Sequence, residues 1–303
     1  MARRIRAQQG LISMLLAVTL VLTLGTSLIL SQLGERRDAA DRQTRTQQRL
    51  LALRQAMVNF ASVNGYLPCP ASGALETGLA VPNVAANACT NPNGTVPWTT
   101  LGLPRDAALD AWGRKVSYRV FAGATGVTVA GGASLVQCDS DFASPALTAS
   151  AAAVAPNFQC TALPPRTDPA SVLAAATRRG LAVFDEGAQV TTVYQVAFAL
   201  ISHGASGAGA WVPGGARLAL PAVANAVERA NGLVLDAVNV PIPPAGACPL
   251  PPAAMPANPV CHYRRNPTDA TVALTDNNHF DDQVVYMTLT DLLAAAGRGA
   301  RNW

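Results

Sequence analysis

Gln9-Gly10-Leu11-Ile12-Ser13 opens an apolar run that continues to Leu33, with Arg3, Arg4 and Arg6 before it and Glu35-Arg36-Arg37-Asp38 after it. As a helix, about 23 residues at about 1.5 Å each reach about 35 Å, enough to cross the hydrocarbon core of a bilayer. Arginines on the N-terminal side alone predict a cytoplasmic N-terminus, with everything after Leu33 on the far side. A cleaved secretory signal has an apolar region of about 7–15 residues that ends at small residues. This run is longer, and Leu30-Ser31-Gln32-Leu33-Gly34 is a poor cleavage site. An uncleaved signal anchor is one reading. A second turns on Gly10, at the junction of the basic leader and the apolar run.

From Glu35 to Asn64 no proline interrupts the chain. Leu50, Leu53, Met57 and Phe60 recur at spacings of three, four and three, which places them on one helical face. Arg42, Arg45 and Arg49 lie close together on a face that reads as solvated. Gly65 reads as the C-terminal stop, with Pro68 just beyond. The expectation is one helix from Leu11 to about Asn64, roughly 80 Å long. Its first half would be transmembrane, and its second half would pack an apolar stripe on a globular domain.

Half of the 303 residues are hydrophobic and the formal charge is +4. Three of the 22 basic residues sit in residues 1–10, which hold no acid, leaving 19 basic against 18 acidic residues beyond them. That balance does not suit a polyanion, so no nucleic-acid partner is expected, even with Arg42, Arg45 and Arg49 grouped. Lys115 is the only lysine. All six cysteines (Cys69, Cys89, Cys138, Cys160, Cys248, Cys261) follow the apolar run. An even count on the exported side suggests disulfides, for which 15 connectivities exist. Pairing sequence neighbours is the simplest choice: Cys69–Cys89, Cys138–Cys160 and Cys248–Cys261. Each bridge would stabilise by about 3 kcal/mol. None of the cysteines has C-x-x-C spacing, which argues against a redox motif or a four-cysteine zinc site.

Val116–Phe121 and Gly126–Ala130 read as a hairpin, Leu181–Phe184 and Thr192–Ser202 as strands. The last of these, the most apolar segment after Leu33, should be central. Ser171–Arg179 and Pro221–Asn231 read as short helices. Residues 131–169 and 240–262 are rich in Ala, Ser and Pro and read as insertions facing partners. Ser202-His203-Gly204-Ala205-Ser206-Gly207-Ala208-Gly209 would serve a hydrolase if Ser206 met His203, but it is not G-x-S-x-G. Nor is it a dinucleotide fingerprint, since no helix opens at the required spacing. Cys261-His262 has the residue types of a metal site, although a disulfide beside an exposed histidine explains it better. Asp281-Asp282 precede a strand, and Thr290-Asp291-Leu292-Leu293 begin a last helix.

The leader ending at Gly10, with the apolar helix starting at Leu11, resembles the signal of type IV prepilins, which a membrane peptidase cuts after the glycine. Two further stretches strengthen the resemblance. Leu67-Pro68-Cys69-Pro70 with Pro97-Trp98-Thr99-Thr100-Leu101-Gly102-Leu103-Pro104 is similar to a group of proteobacterial prepilin-type proteins. Asp110-Ala111-Trp112-Gly113 followed by Tyr118 resembles an element of the major pseudopilin of type II secretion. There the aspartate would cap a turn, Gly113 would supply an unusual backbone angle and Trp112 would be buried under the helix. The loop after Ser202 resembles that protein's Ser-x-Gly-x-x-Gly loop. Leu15 stands where the family usually has glutamate five residues into the mature chain, as in minor pseudopilins at the tip.

The resemblance implies an α+β fold: a long N-terminal spine helix, its first half transmembrane, packed on an antiparallel β-sheet with disulfide-pinned loops. It implies a leader over 1–10, a spine over 11–64 and a periplasmic domain over 65–303. The implied function is structural: a minor subunit of a type II secretion pseudopilus or a type IV pilus, processed between Gly10 and Leu11 and N-methylated. Its partners would be prepilin peptidase, other pilin or pseudopilin subunits and membrane lipid, and its place the inner membrane. Calcium is the implied cofactor, with Asp281 or Asp282 as ligands helped by carbonyls of residues 203–209 and by Asp276 or Asn277. The alternative is a signal-anchored periplasmic hydrolase or ligand-binding domain using Ser206, His203 and an acid.

Overall fold

A computed structural model describes residues 2–83, 88–89, 91, 93–121, 127–128, 181–186, 191–220, 226–232, 261–267, 276 and 278–296. Helix α1 runs Ala2–Asn64. The chain divides into two units, Met1–Thr44 and Arg45–Trp303.

In the first unit the expected spine needs correction. Among the described residues no helix is long and apolar enough to cross a membrane. Within the apolar run the described side chains are those of Thr19–Leu22, all exposed.

In the second unit, α1 contributes its last five turns to packing. Thr46, Leu50, Leu53, Met57, Val58 and Ala61 are buried, at spacings of three and four. Phe60 lies half out and meets Tyr66 edge-on, with ring centroids 5.8 Å apart. Gly65 ends the helix as expected, its N–H donating to the Ala61 carbonyl at 2.9 Å. Arg49 is not simply solvated, because its guanidinium donates to the carbonyls of Leu109 and Asp110 at 2.9 and 2.8 Å.

The strands are β1 (Pro82–Asn83), β2 (Ala88–Cys89), β3 (Asn93–Thr95), β4 (Ser117–Val120), β5 (Leu181–Asp185), β6 (Thr191–Ser202), β7 (Cys261–Arg264) and β8 (Gln283–Thr288). Helices α2 (Ala226–Gly232) and α3 (Leu289–Ala295) and a short 3-10 helix over Arg105–Ala108 complete the described elements, with Thr288 capping α3 by accepting from the Asp291 N–H. β1 and β2 form a small ribbon, and the main sheet runs β3-β4-β6-β5-β7, with β8 also paired to β6. β6 is central, as its apolar length demanded: it pairs with β4, β5 and β8.

The sheet is not antiparallel throughout, which corrects the second part of the expected fold. β5 and β7 are parallel, with Ala182 opposite Cys261 and Asp185 opposite Arg264. A parallel pair needs a long crossover, and about 75 residues separate these two strands. Of the hairpin expected over 116–130, residues 122–126 and 129–130 lie outside the described residues. β4 pairs with β3 and β6, and Val127 donates to the Phe121 carbonyl and accepts from Leu67.

Strand alternation splits the sheet into two faces. Tyr118 and Val120 of β4 join Leu50, Leu53, Met57, Phe198 and Leu200 in the larger apolar cluster. Ser117 and Arg119 of the same strand face a second, polar interior, beside a smaller apolar cluster of Ala182, Phe184, Val227, Ala230, Tyr263 and Phe280. Only one disulfide pins a loop among the described residues: Cys69–Cys89, as the neighbour pairing expected. The other two proposed bridges need Cys138, Cys160 and Cys248, which lie outside the described residues, as do the 131–169 insertion, the Ser171–Arg179 helix and most of the 240–262 insertion.

Candidate functional site

The polar interior is built where β6 ends. Ser202 closes the strand, and the chain turns at Gly204, whose φ of +52° suits glycine. A side chain there would also strike Asp281, since a Cβ would lie 2.2 Å from its carbonyl oxygen and 2.6 Å from its carboxylate. The loop therefore lies directly on the segment that leads into β8. Arg114 fixes the loop from the other side, its guanidinium donating to the carbonyls of Gly204 and Ala205.

The turn that carries Arg114 is organised by Asp110, which is 1% exposed. Its Oδ1 accepts from the N–H groups of Trp112 and Arg114, both at 2.9 Å, and its Oδ2 accepts from the Ser202 hydroxyl at 2.8 Å. Thr46 of α1 accepts from the Ala111 N–H at 3.1 Å. Gly113 has the positive φ (+77°) the turn required. Trp112 is only half-buried, and the buried tryptophan is Trp98, at 5% exposure. Lys115 next to this turn is buried as well, donating to the carbonyls of Gly73 and Leu75 and pairing with Glu76 at 2.6 Å.

Asp281 and Asp282 are adjacent in sequence and serve different partners. Asp281 accepts from the Ser206 N–H at 2.6 Å and from its hydroxyl at 3.0 Å. The same hydroxyl lies 3.2 Å from Glu228 on α2. Nε2 of His279 is 3.9 Å from a Glu228 oxygen and 3.8 Å from an Asp281 oxygen. Asp282 lies in the opposite direction, with Oδ1 3.5 Å from Nδ1 of His203, whose Nε2 is 2.9 Å from the Ser117 hydroxyl.

Burial governs the charges here. Glu228 is pushed up to about 10, first by burial, then by its hydrogen bond to Asp281 and the negative charges of Asp282 and Asp281, with the Ser206 hydroxyl opposing. Burial also raises Asp282, and His203 opposes that rise. His262, on β7, is pushed down to about 3 by burial and by Arg119. Arg119 itself is lowered to about 9, chiefly by burial.

The hydrolase pairing of Ser206 with the His203 ring does not form: the Ser206 hydroxyl reaches only the His203 backbone carbonyl, at 3.4 Å. A Ser117–His203–Asp282 line exists instead, but all three side chains are buried, with exposures of 0%, 0% and 1%. Its serine sits inside the sheet, where no substrate carbonyl reaches it. Gly10 and Leu11 both lie within α1. Sequence reasoning missed Glu228, a lone acid in a short Ala-rich helix. His279, two residues before Asp281, carries no sequence motif that would give it a role.

No protein-family model, no curated protein and no solved structure matches this chain.

Proposed function

We propose that this protein is a structural subunit of a pilus-like or pseudopilus-like assembly, processed by prepilin peptidase after Gly10. The interlock at Asp110 carries the reading. Three parts of the chain, Thr46 and Arg49 of α1, the Asp110-x-Trp-Gly turn and Ser202 at the end of β6, are tied to that one residue and its neighbours. Such an arrangement ties α1 to the sheet through one buried carboxylate, as suits a building block. In this reading the segment from Leu11 contacts neighbouring subunits, and Leu15 in place of glutamate favours a minor subunit. The head belongs in an oxidising compartment, which the Cys69–Cys89 bridge supports.

The test is the intact mass and N-terminal sequence of protein extracted from cells with and without an active prepilin peptidase. A chain that begins at methylated Leu11 only when the peptidase is present is the expected result, and Gly10→Val should abolish it. An unchanged N-terminus in both strains would sink the proposal.

A further inference from the structure

Glu228, His279 and Asp281 come from α2 and from two positions ahead of β8, and one ligand atom from each lies within 4.8 Å of the others. We propose that these three side chains form a binding site for a divalent transition metal of the zinc class.

The donor set has the right chemistry and arrangement. Nε2 of His279 is nearly equidistant from the two carboxylates, at 3.9 and 3.8 Å, so one point between the three is within reach of all. Small movements of about half an ångström bring such atoms to the spacing that ligands of one zinc ion adopt at about 2.0–2.2 Å each. Glu228 is fully buried, while His279 and Asp281 are 11% and 13% exposed, so the group has a dry wall and a way in from solvent. Asp281 is already oriented by the Ser206 N–H and hydroxyl, the kind of support that fixes a ligand before the metal arrives.

Asp282, the next residue, is 1% exposed and lies outside the group, with Oδ1 3.5 Å from Nδ1 of His203. Its charge bears on Glu228. A buried carboxylate beside two others is costly unless a proton or a cation offsets the charge. Of the nearby guanidinium groups, buried Arg119 acts on Asp282, while Arg114 donates to the carbonyls of Gly204 and Ala205 and Arg217 to those of Gly209 and Gly232.

Calcium, which the resemblance implied, fits these residues poorly. It takes six to eight oxygens, whereas this group includes an imidazole and Asp282 lies against His203. Imidazole with carboxylates suits zinc and its neighbours. Without metal, a proton shared between Glu228 and Asp281 is the competing state.

The experiment is calorimetric titration of the metal-stripped full chain, free of any histidine tag, with ZnCl₂ and separately with CaCl₂ at pH 7, together with thermal melts. One saturable zinc site per chain and a raised Tm are expected, with no saturable calcium binding. His279→Ala should weaken zinc by about 100-fold, at least the loss seen when even a supporting group is removed. Should that variant fail to fold, Co²⁺ added to the wild-type protein reads the ligand set directly: intense visible bands of a low-coordinate site are expected. Absence of stoichiometric zinc binding, equal affinity in His279→Ala, preferential calcium binding, or a weak aquo-like cobalt spectrum would each overturn the proposal.

Discussion

Replacing Asp110 tests how much of the head rests on one carboxylate. In Asp110→Ala the N–H groups of Trp112 and Arg114 and the hydroxyl of Ser202 lose their acceptor together. An unsatisfied buried donor costs about 1–3 kcal/mol. The two N–H groups belong to half-buried residues that water partly reaches, whereas Ser202 is fully buried. Taking about 1 kcal/mol for each N–H and about 2 for the hydroxyl gives about 4 kcal/mol, a large share of a typical stability of 5–15 kcal/mol. Asp110→Asn keeps one oxygen for the two N–H groups and lets the Ser202 hydroxyl accept from the new amide, so about 1–2 kcal/mol is expected. Urea melts followed by tryptophan fluorescence, read by linear extrapolation, measure both. A loss below about 1 kcal/mol in the alanine variant, or equal losses in the two, would refute this account of the turn.

Met57→Ala, at a fully buried position under the sheet, should cost about 2–5 kcal/mol in the same assay. Removing the Cys69–Cys89 bridge by Cys→Ser at both positions should cost about 3 kcal/mol, and wild type should then differ measurably with and without reductant. Stability should follow pH in a defined way. Glu228, raised from 4.5 to about 10, holds a proton in the folded chain that the unfolded chain releases, so its contribution is full below pH 4.5 and lost as pH rises toward 10. His262, lowered from 6.5 to about 3, acts oppositely: its contribution is present above pH 6.5 and lost as pH falls toward 3. Melts across pH should therefore show a broad optimum between about 4.5 and 6.5, and Glu228→Gln should flatten the alkaline limb.

The parts that could be read from the chain are those set by local patterns. The three-and-four spacing of Leu50, Leu53 and Met57 has one geometric solution, and that face is buried. The long apolar run over residues 192–202 had to be central, and the Asp110 turn followed from its residue types. Other features depend on partners far along the chain. β3 is Asn93-Gly94-Thr95, of which only Thr95 favours a strand, and it exists because β4 supplies an edge. The parallel β5–β7 pair joins segments whose connection no periodicity reports. At the site, Ser206 meets residues 22 and 75 positions away, and only folding chooses them over His203, three positions away. Arg49 looked solvated for a similar reason: the carbonyls that bind it are 60 and 61 residues distant.

The burial of Lys115 has a practical consequence. It is the only lysine in the chain, its side chain is 1% exposed, and its ammonium is held by two carbonyls and Glu76. The folded protein offers acylating reagents, lysine-directed cross-linkers and acetylating or ubiquitin-conjugating enzymes no side-chain target. An amine-reactive probe on native protein thus marks the α-amino group alone, while lysine labelling reports that the Glu76 contact has opened. Contacts between copies must be mapped by chemistry aimed at carboxylates or arginines.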